Sequence, residues 1–166
     1  MSYVLIDYGR LDRLTGPSGP RLISDAQDLA SPAWRYGTFD CADYAVEFTT
    51  EAGRVFTVSW DSPGYHTGVW LREVPARGSA YVADADVAEW DVSRAGRWDS
   101  FIGAEVTDVI LHYQHWVDDG YECSRITVAF GDRSVALLLA DSDADQLLVP
   151  SGDNIAVLFP PESLRR

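Results

Sequence analysis

VTDVILHYQHWVDDGYECSRITVAFGDRSVALLLA, residues 106–140, alternates apolar with polar residues around two turn dipeptides, Asp119-Gly120 and Gly131-Asp132. Aspartate followed by glycine tolerates the positive φ angles of a tight hairpin. Closing the chain at Asp119-Gly120 sets Val109 opposite Phe130, Leu111 opposite Val128 and Tyr113 opposite Ile126. Closing it at Gly131-Asp132 sets Val128 opposite Val135 and Ile126 opposite Leu137. Both closures load one face with apolar side chains. A one-residue slip in either would turn every side chain over, so the agreement of two independent turns predicts a three-stranded antiparallel meander.

A similar pattern lies upstream. With Glu51-Ala52-Gly53 as a three-residue loop and Gly53 in the left-handed position, Tyr44 faces Trp60, Val46 faces Val58 and Phe48 faces Phe56. Gly68 to Val74 follows as a third strand, with Val69 and Leu71 directed to the core. Residues 3–8 read as a short strand and the glycine- and proline-rich residues 9–20 as a loop. Ser24 and Asp25 cap a brief helix that Pro32 ends, and Asp86 or Ser93 starts another helical turn. Residues 146–149 and 154–159 form two closing strands joined through Pro150-Ser151-Gly152-Asp153. The expected fold is α+β and mainly β: antiparallel meanders forming two packed sheets or one strongly curved sheet, with one or two short helices. No linker divides the chain, so residues 1–166 are expected to be a single domain.

The composition, 46% hydrophobic and 12% aromatic, suits a globular domain with a real core. Its 26 acidic against 13 basic residues give a formal charge of −13, which repels phosphate backbones and anionic membranes. Nucleic-acid and membrane partners are therefore not expected; the acidic surface either keeps a small protein soluble or is complementary to a basic partner protein. The N-terminus has no basic leader and no apolar run reaches membrane-spanning length, so the expected location is the cytoplasm. The two cysteines are accordingly expected to be reduced.

Motifs for chemistry are few. His112 and His115 point to opposite faces of one strand and cannot easily share an ion. Asp141, Asp143 and Asp145 begin like a calcium loop, but the sixth and twelfth positions hold Gln146 and Gly152 instead of glycine and glutamate. Cys41 and Cys123 each follow an acid, Asp40 and Glu122, which makes a thiolate scarcer; both read as packing residues at strand starts. The segment from Trp34 through Cys41 to Phe48 echoes the one from Trp116 through Cys123 to Phe130, but unequal turns argue against a full duplication. No catalytic residue, metal ligand or cofactor is assigned. The back of the 106–140 meander is the expected binding face: His112 lies opposite Thr127, Gln114 opposite Arg125 and Trp116 opposite Cys123, with Tyr65, His66 and Trp70 extending the patch.

Trp98-Asp-Ser-Phe101-Ile102-Gly103, the strand from Val106 to Trp116, the Phe130-Gly-Asp-Arg-Ser-Val135 hairpin and the closing Asp153-Asn-Ile-Ala-Val-Leu-Phe159 resemble small uncharacterised bacterial proteins. Some proteins of that look are encoded beside polymorphic toxins and are suspected immunity proteins. The resemblance carries no functional residue over. Together with the charge it implies a non-enzymatic acidic binding protein, an immunity-type inhibitor of a basic protein toxin, with Trp70, Trp90 or Trp98 as buried anchors. The alternative is a small enzyme or small-ligand binder with a pocket between the sheets, using His66, His112 and Cys41 or Cys123. A third reading is a homo-oligomer that buries an exposed sheet edge.

Overall fold

Two sheets of five strands each make up the framework in a computed structural model that describes residues 2–7, 38–42, 45–61, 68–76, 88–94, 96–115, 120–142 and 147–159. The strands are β1 (Ser2–Asp7), β2 (Phe39–Ala42), β3 (Ala45–Thr49), β4 (Val55–Asp61), β5 (Gly68–Arg72) and β6 (Ala88–Asp91). After a 3₁₀ turn at Gly96–Phe101 come β7 (Asp108–His115), β8 (Tyr121–Phe130), β9 (Arg133–Ser142) and β10 (Leu148–Leu158). Sheet I runs β5-β4-β3-β1-β6 and sheet II runs β2-β10-β9-β8-β7, with antiparallel neighbours throughout.

Turn chemistry sets much of this register. Gly53 adopts φ +74° in the β3–β4 loop, where Thr50 N–H donates to the Arg54 carbonyl at 2.9 Å. The predicted pairs Val46–Val58 and Phe48–Phe56 follow from it; Tyr44 lies outside the described residues. Gly131 adopts φ +64° between β8 and β9 and yields the predicted pairs Val128–Val135 and Ile126–Leu137. Such angles carry little steric cost for glycine alone.

The sheets stack in an aligned order. β5 packs on β8, β4 and β3 pack on β10, and β1 packs on β2. Between them Val46, Val58 and Val69 of sheet I meet Ile126, Leu137, Ile155 and Val157 of sheet II, all buried. Each such side chain contributes about 1.5–3 kcal/mol when fully buried. One end of the core is closed by the 3₁₀ turn, whose Phe101 packs edge-on to Phe130 at 5.1 Å. Sheet II also buries its opposite face, where Phe39, Cys41, Ala140 and Ala156 form a second cluster.

The structure corrects several expectations. The β7–β8 register is not the one expected from a two-residue turn at Asp119-Gly120: His115 pairs with Tyr121, Val109 faces Val128 and Leu111 faces Ile126. Phe130 is held by Phe101, and Thr107 is tied to this turn by two bonds: its N–H donates to Ala129 at 2.9 Å and its Oγ1 accepts from Gly131 N–H at 3.0 Å. Those contacts pull the register two residues away from the tight turn. A bulge between His112 and Tyr113 then sets Tyr113 opposite Cys123. The two closing strands are one strand, β10, with a register shift between Pro150 and Ile155. Residues 88–91, just after the Asp86 proposed as a helix start, form a strand, and the only helical element among the described residues is the 3₁₀ turn. The capped helix near Ser24 lies outside the described residues.

Candidate functional site

β7 was expected to contribute to the core, and it does not. Its inner-facing Val109, Leu111 and Tyr113 are 39%, 47% and 61% exposed, although their partners Val128 and Ile126 are buried. The cause is the lateral offset of the sheets. β5, the end strand of sheet I, lies over β8 and reaches no farther, so β7 overhangs it. At Gly68 the two strands are in close contact: a Cβ there would lie 3.4 Å from the Cys123 backbone nitrogen. Leu71, expected in the core, is 37% exposed at the rim of this step. Val69, two residues earlier and over β8, is buried as expected.

The step is an apolar groove with two connected parts. One, of about 370 Å³, lies among Trp70, Leu111, Tyr113, Tyr121 and Cys123; the other, of about 270 Å³, among Phe48, Phe56, Val106, Val128 and Phe130. Leu71 and Val109 line both. Seven of the twelve large apolar side chains exposed among the described residues lie on this groove, which makes it the main apolar patch of the described surface. Edge strands are commonly protected by charges or proline. β7 carries one charged residue, Asp108, at its first position.

The face predicted for binding is the outer one, and the structure brings His112, Gln114 and Arg125 together there. His112 lies directly across from Arg125 rather than Thr127, and Gln114 across from Glu122 rather than Arg125, because of the register shift and the bulge. Arg125 Nη2 donates to His112 Nδ1 at 3.0 Å, so the ring proton sits on Nε2, which donates to Thr127 Oγ1 at 3.0 Å. Burial and the neighbouring Arg125 charge hold the His112 pKa below its ordinary value. Gln114 Nε2 donates to Glu122 Oε1, and Ser124 Oγ donates to the His112 carbonyl at 3.3 Å. These polar groups are engaged with one another. Trp70 belongs to the groove instead, with Arg72 over its ring at 5.5 Å. Trp116, Tyr65 and His66 lie outside the described residues. Trp90 and Trp98, named as partner anchors from sequence, are buried in the core and cannot take that role.

Thiol and imidazole are separated. Cys123 lines the groove, where burial pushes its thiol pKa up, and its Sγ donates to the Arg125 carbonyl at 3.5 Å. The His112 ring occupies the outer face, and Cys41 sits in the second cluster, 3.9 Å from the Ala140 carbonyl. Among the described residues no group of three or more His, Cys, Asp or Glu side chains is placed to hold a metal ion.

One polar cluster was missed from sequence. Asp40 is fully buried in β2; Trp98 Nε1 donates to its Oδ2 at 2.6 Å, and Arg97 Nη2 stands 3.4 Å from its Oδ1. Arg97 also lies over the Phe159 ring at 5.3 Å. The cluster ties the 3₁₀ turn to β2 and to Phe159, which follows β10. Its one sequence signal was an acid between Phe39 and Cys41 in an apolar stretch. Comparison with protein families, with curated proteins and with solved structures finds no match to this chain.

Proposed function

We propose that this chain is a non-enzymatic acidic binding protein that takes a basic protein partner in the groove between β5 and β7, as an immunity-type inhibitor does with a toxin. The observation that carries the reading is the gathering of exposed Trp70, Leu71, Val109, Leu111, Tyr113 and Tyr121 around one groove. Aromatic and aliphatic side chains in a desolvated pocket supply most of the energy of protein interfaces. The formal charge of −13 supports a basic partner, since it accelerates encounter with positive surfaces and slows encounter with negative ones. Resemblance to suspected immunity proteins points the same way. The test is titration of the purified protein with each basic protein encoded beside its own gene. Association whose rate falls steeply with salt is the expected result; no association with any of them would refute the inhibitor reading.

A second reading draws on the size of the groove. At about 370 Å³ it falls within the range of small-molecule pockets, and its lining is mostly apolar. Binding of a small apolar molecule there, without any protein partner, predicts saturable uptake of a hydrophobic fluorescent dye that Leu111→Lys abolishes.

A further inference from the structure

Resting on the binding reading above, we propose that the partner supplies an extended basic segment that joins the outer edge of β5 as a sixth strand of sheet I and lies across the inner face of β7. The stacking order leads to this position. Sheet I strands lie over sheet II in the same order, β1 on β2, β3 and β4 on β10, and β5 on β9 and chiefly β8, so that among the described residues β5 is the sheet I strand beside β7. Strands within a sheet are about 4.8 Å apart and packed sheets about 10 Å apart, so the next place beyond β5 is the one above β7.

The lining of the groove shows that such a strand runs along β7 rather than across it. The Gly68 end of β5 is next to Cys123, which pairs with Tyr113, while Leu71 shares a groove with Val109 and Val128. β5 therefore runs antiparallel to β7, and a neighbour of β5 lies along the row Val109, Leu111, Tyr113. That row projects from alternate positions of one strand, so it receives alternate apolar side chains of the incoming segment. Backbone pairing gives the segment its register and the groove selects its side chains, as in strand addition generally. Pairing on the outer edge of β7 leaves Leu111 and Tyr113 uncovered, which makes it the weaker solution.

Charge decides the occupant. A second copy of this chain carries the same formal charge of −13 and is repelled as a whole, whereas a lysine- or arginine-rich segment is attracted. Among the described residues β5 pairs only with β4; the charged residues lining the groove are Glu122, whose carboxylate is engaged by Gln114, and Arg54, which is paired with Glu73, so the attraction for a basic segment comes from the charge of the chain as a whole.

The test uses the full chain and a displayed library of random peptides about ten residues long, the span of a long strand. Enriched peptides are expected to alternate apolar residues with lysine or arginine. When bound, they are expected to slow hydrogen exchange at the β5 amides that point away from β4. Leu71→Lys is expected to weaken them about tenfold or more, and Ile110→Lys, on the outer face of β7, less than about twofold. Protection on the outer edge of β7 instead of β5 would overturn the strand position while leaving the groove as the binding site. Enrichment of acidic peptides, of peptides without alternation, or of none would overturn the proposal itself. Self-association that protects the same β5 amides would replace the basic segment by a second copy. Loss of the groove reading would show separately, as partner binding indifferent to substitution of Leu111.

Discussion

Truncating Leu111 and Ile126 to alanine puts the open inner face of β7 to a quantitative test. The two residues are cross-strand partners on the same face, yet Ile126 is fully buried beneath sheet I and Leu111 is 47% exposed. Ile126→Ala removes a side chain from a closed core and leaves a cavity, a change that costs about 2–5 kcal/mol. Leu111→Ala removes a side chain whose full burial contributes about 1.5–3 kcal/mol and of which about half is already in water, so the loss is about 1 kcal/mol, with no enclosed void. In urea unfolding, with a slope of about 2 kcal/mol per molar, the midpoint falls by about 0.5 M for Leu111→Ala and by about 1–2.5 M for Ile126→Ala. Equal losses would show that the β7 face is covered in solution, and the groove would then be part of the core rather than a place for a partner.

The Asp40 cluster is expected to be structural: Asp40→Ala leaves the buried Trp98 indole N–H without its acceptor and lowers stability by about 2 kcal/mol or more in the same assay, with groove binding unchanged. His112 is expected to titrate below the ordinary histidine value of about 6.5 in proton NMR. Because its folded pKa is the lower one, the unfolded chain binds more protons between the two values; the contribution of His112 to stability is complete above about pH 6.5 and falls as pH drops through the folded pKa. Removing Arg125 by Arg125→Gln is expected to move that titration back toward the ordinary value. Cys123, partly exposed in the groove, is expected to react with a thiol reagent before the buried Cys41, and slowly at neutral pH because its pKa is raised. A partner that fills the groove is expected to block that reaction.

Local turn chemistry made the hairpins at Gly53 and Gly131 readable, since glycine at positive φ and period-two alternation select the same registers. The β7–β8 connection was misread because the pull on it is not local: Phe101 holds Phe130, and Thr107 binds across to Ala129 and Gly131. The shift is by two residues up to the bulge, so the faces of Val109 and Leu111 were still assigned correctly. Alternation says which side chains share a face, but not whether a second sheet extends far enough to cover it. Alternation alone therefore gives the apolar row of β7 as core and its polar back as the binding face. Trp70 was named as a site residue for its type alone, while Tyr121 and Leu71 became visible only once β5 was placed over β8. Asp40 could not be distinguished from a surface acid without the indole that meets it across the fold.

The claim that the β5–β7 groove is the partner site is tested most directly by the affinity of the Leu111→Lys protein for a basic partner bound by the wild type, beside Ile110→Lys as a control on the opposite face of the same strand. Both residues are about equally exposed, at 47% and 44%, so the two variants differ chiefly in the face they mark. Placing a charge in the centre of the groove is predicted to cost about 2 kcal/mol or more, a fall in affinity of about thirtyfold, with Ile110→Lys close to wild type. Equal affinities for Leu111→Lys and wild type, or a loss confined to Ile110→Lys, would contradict it.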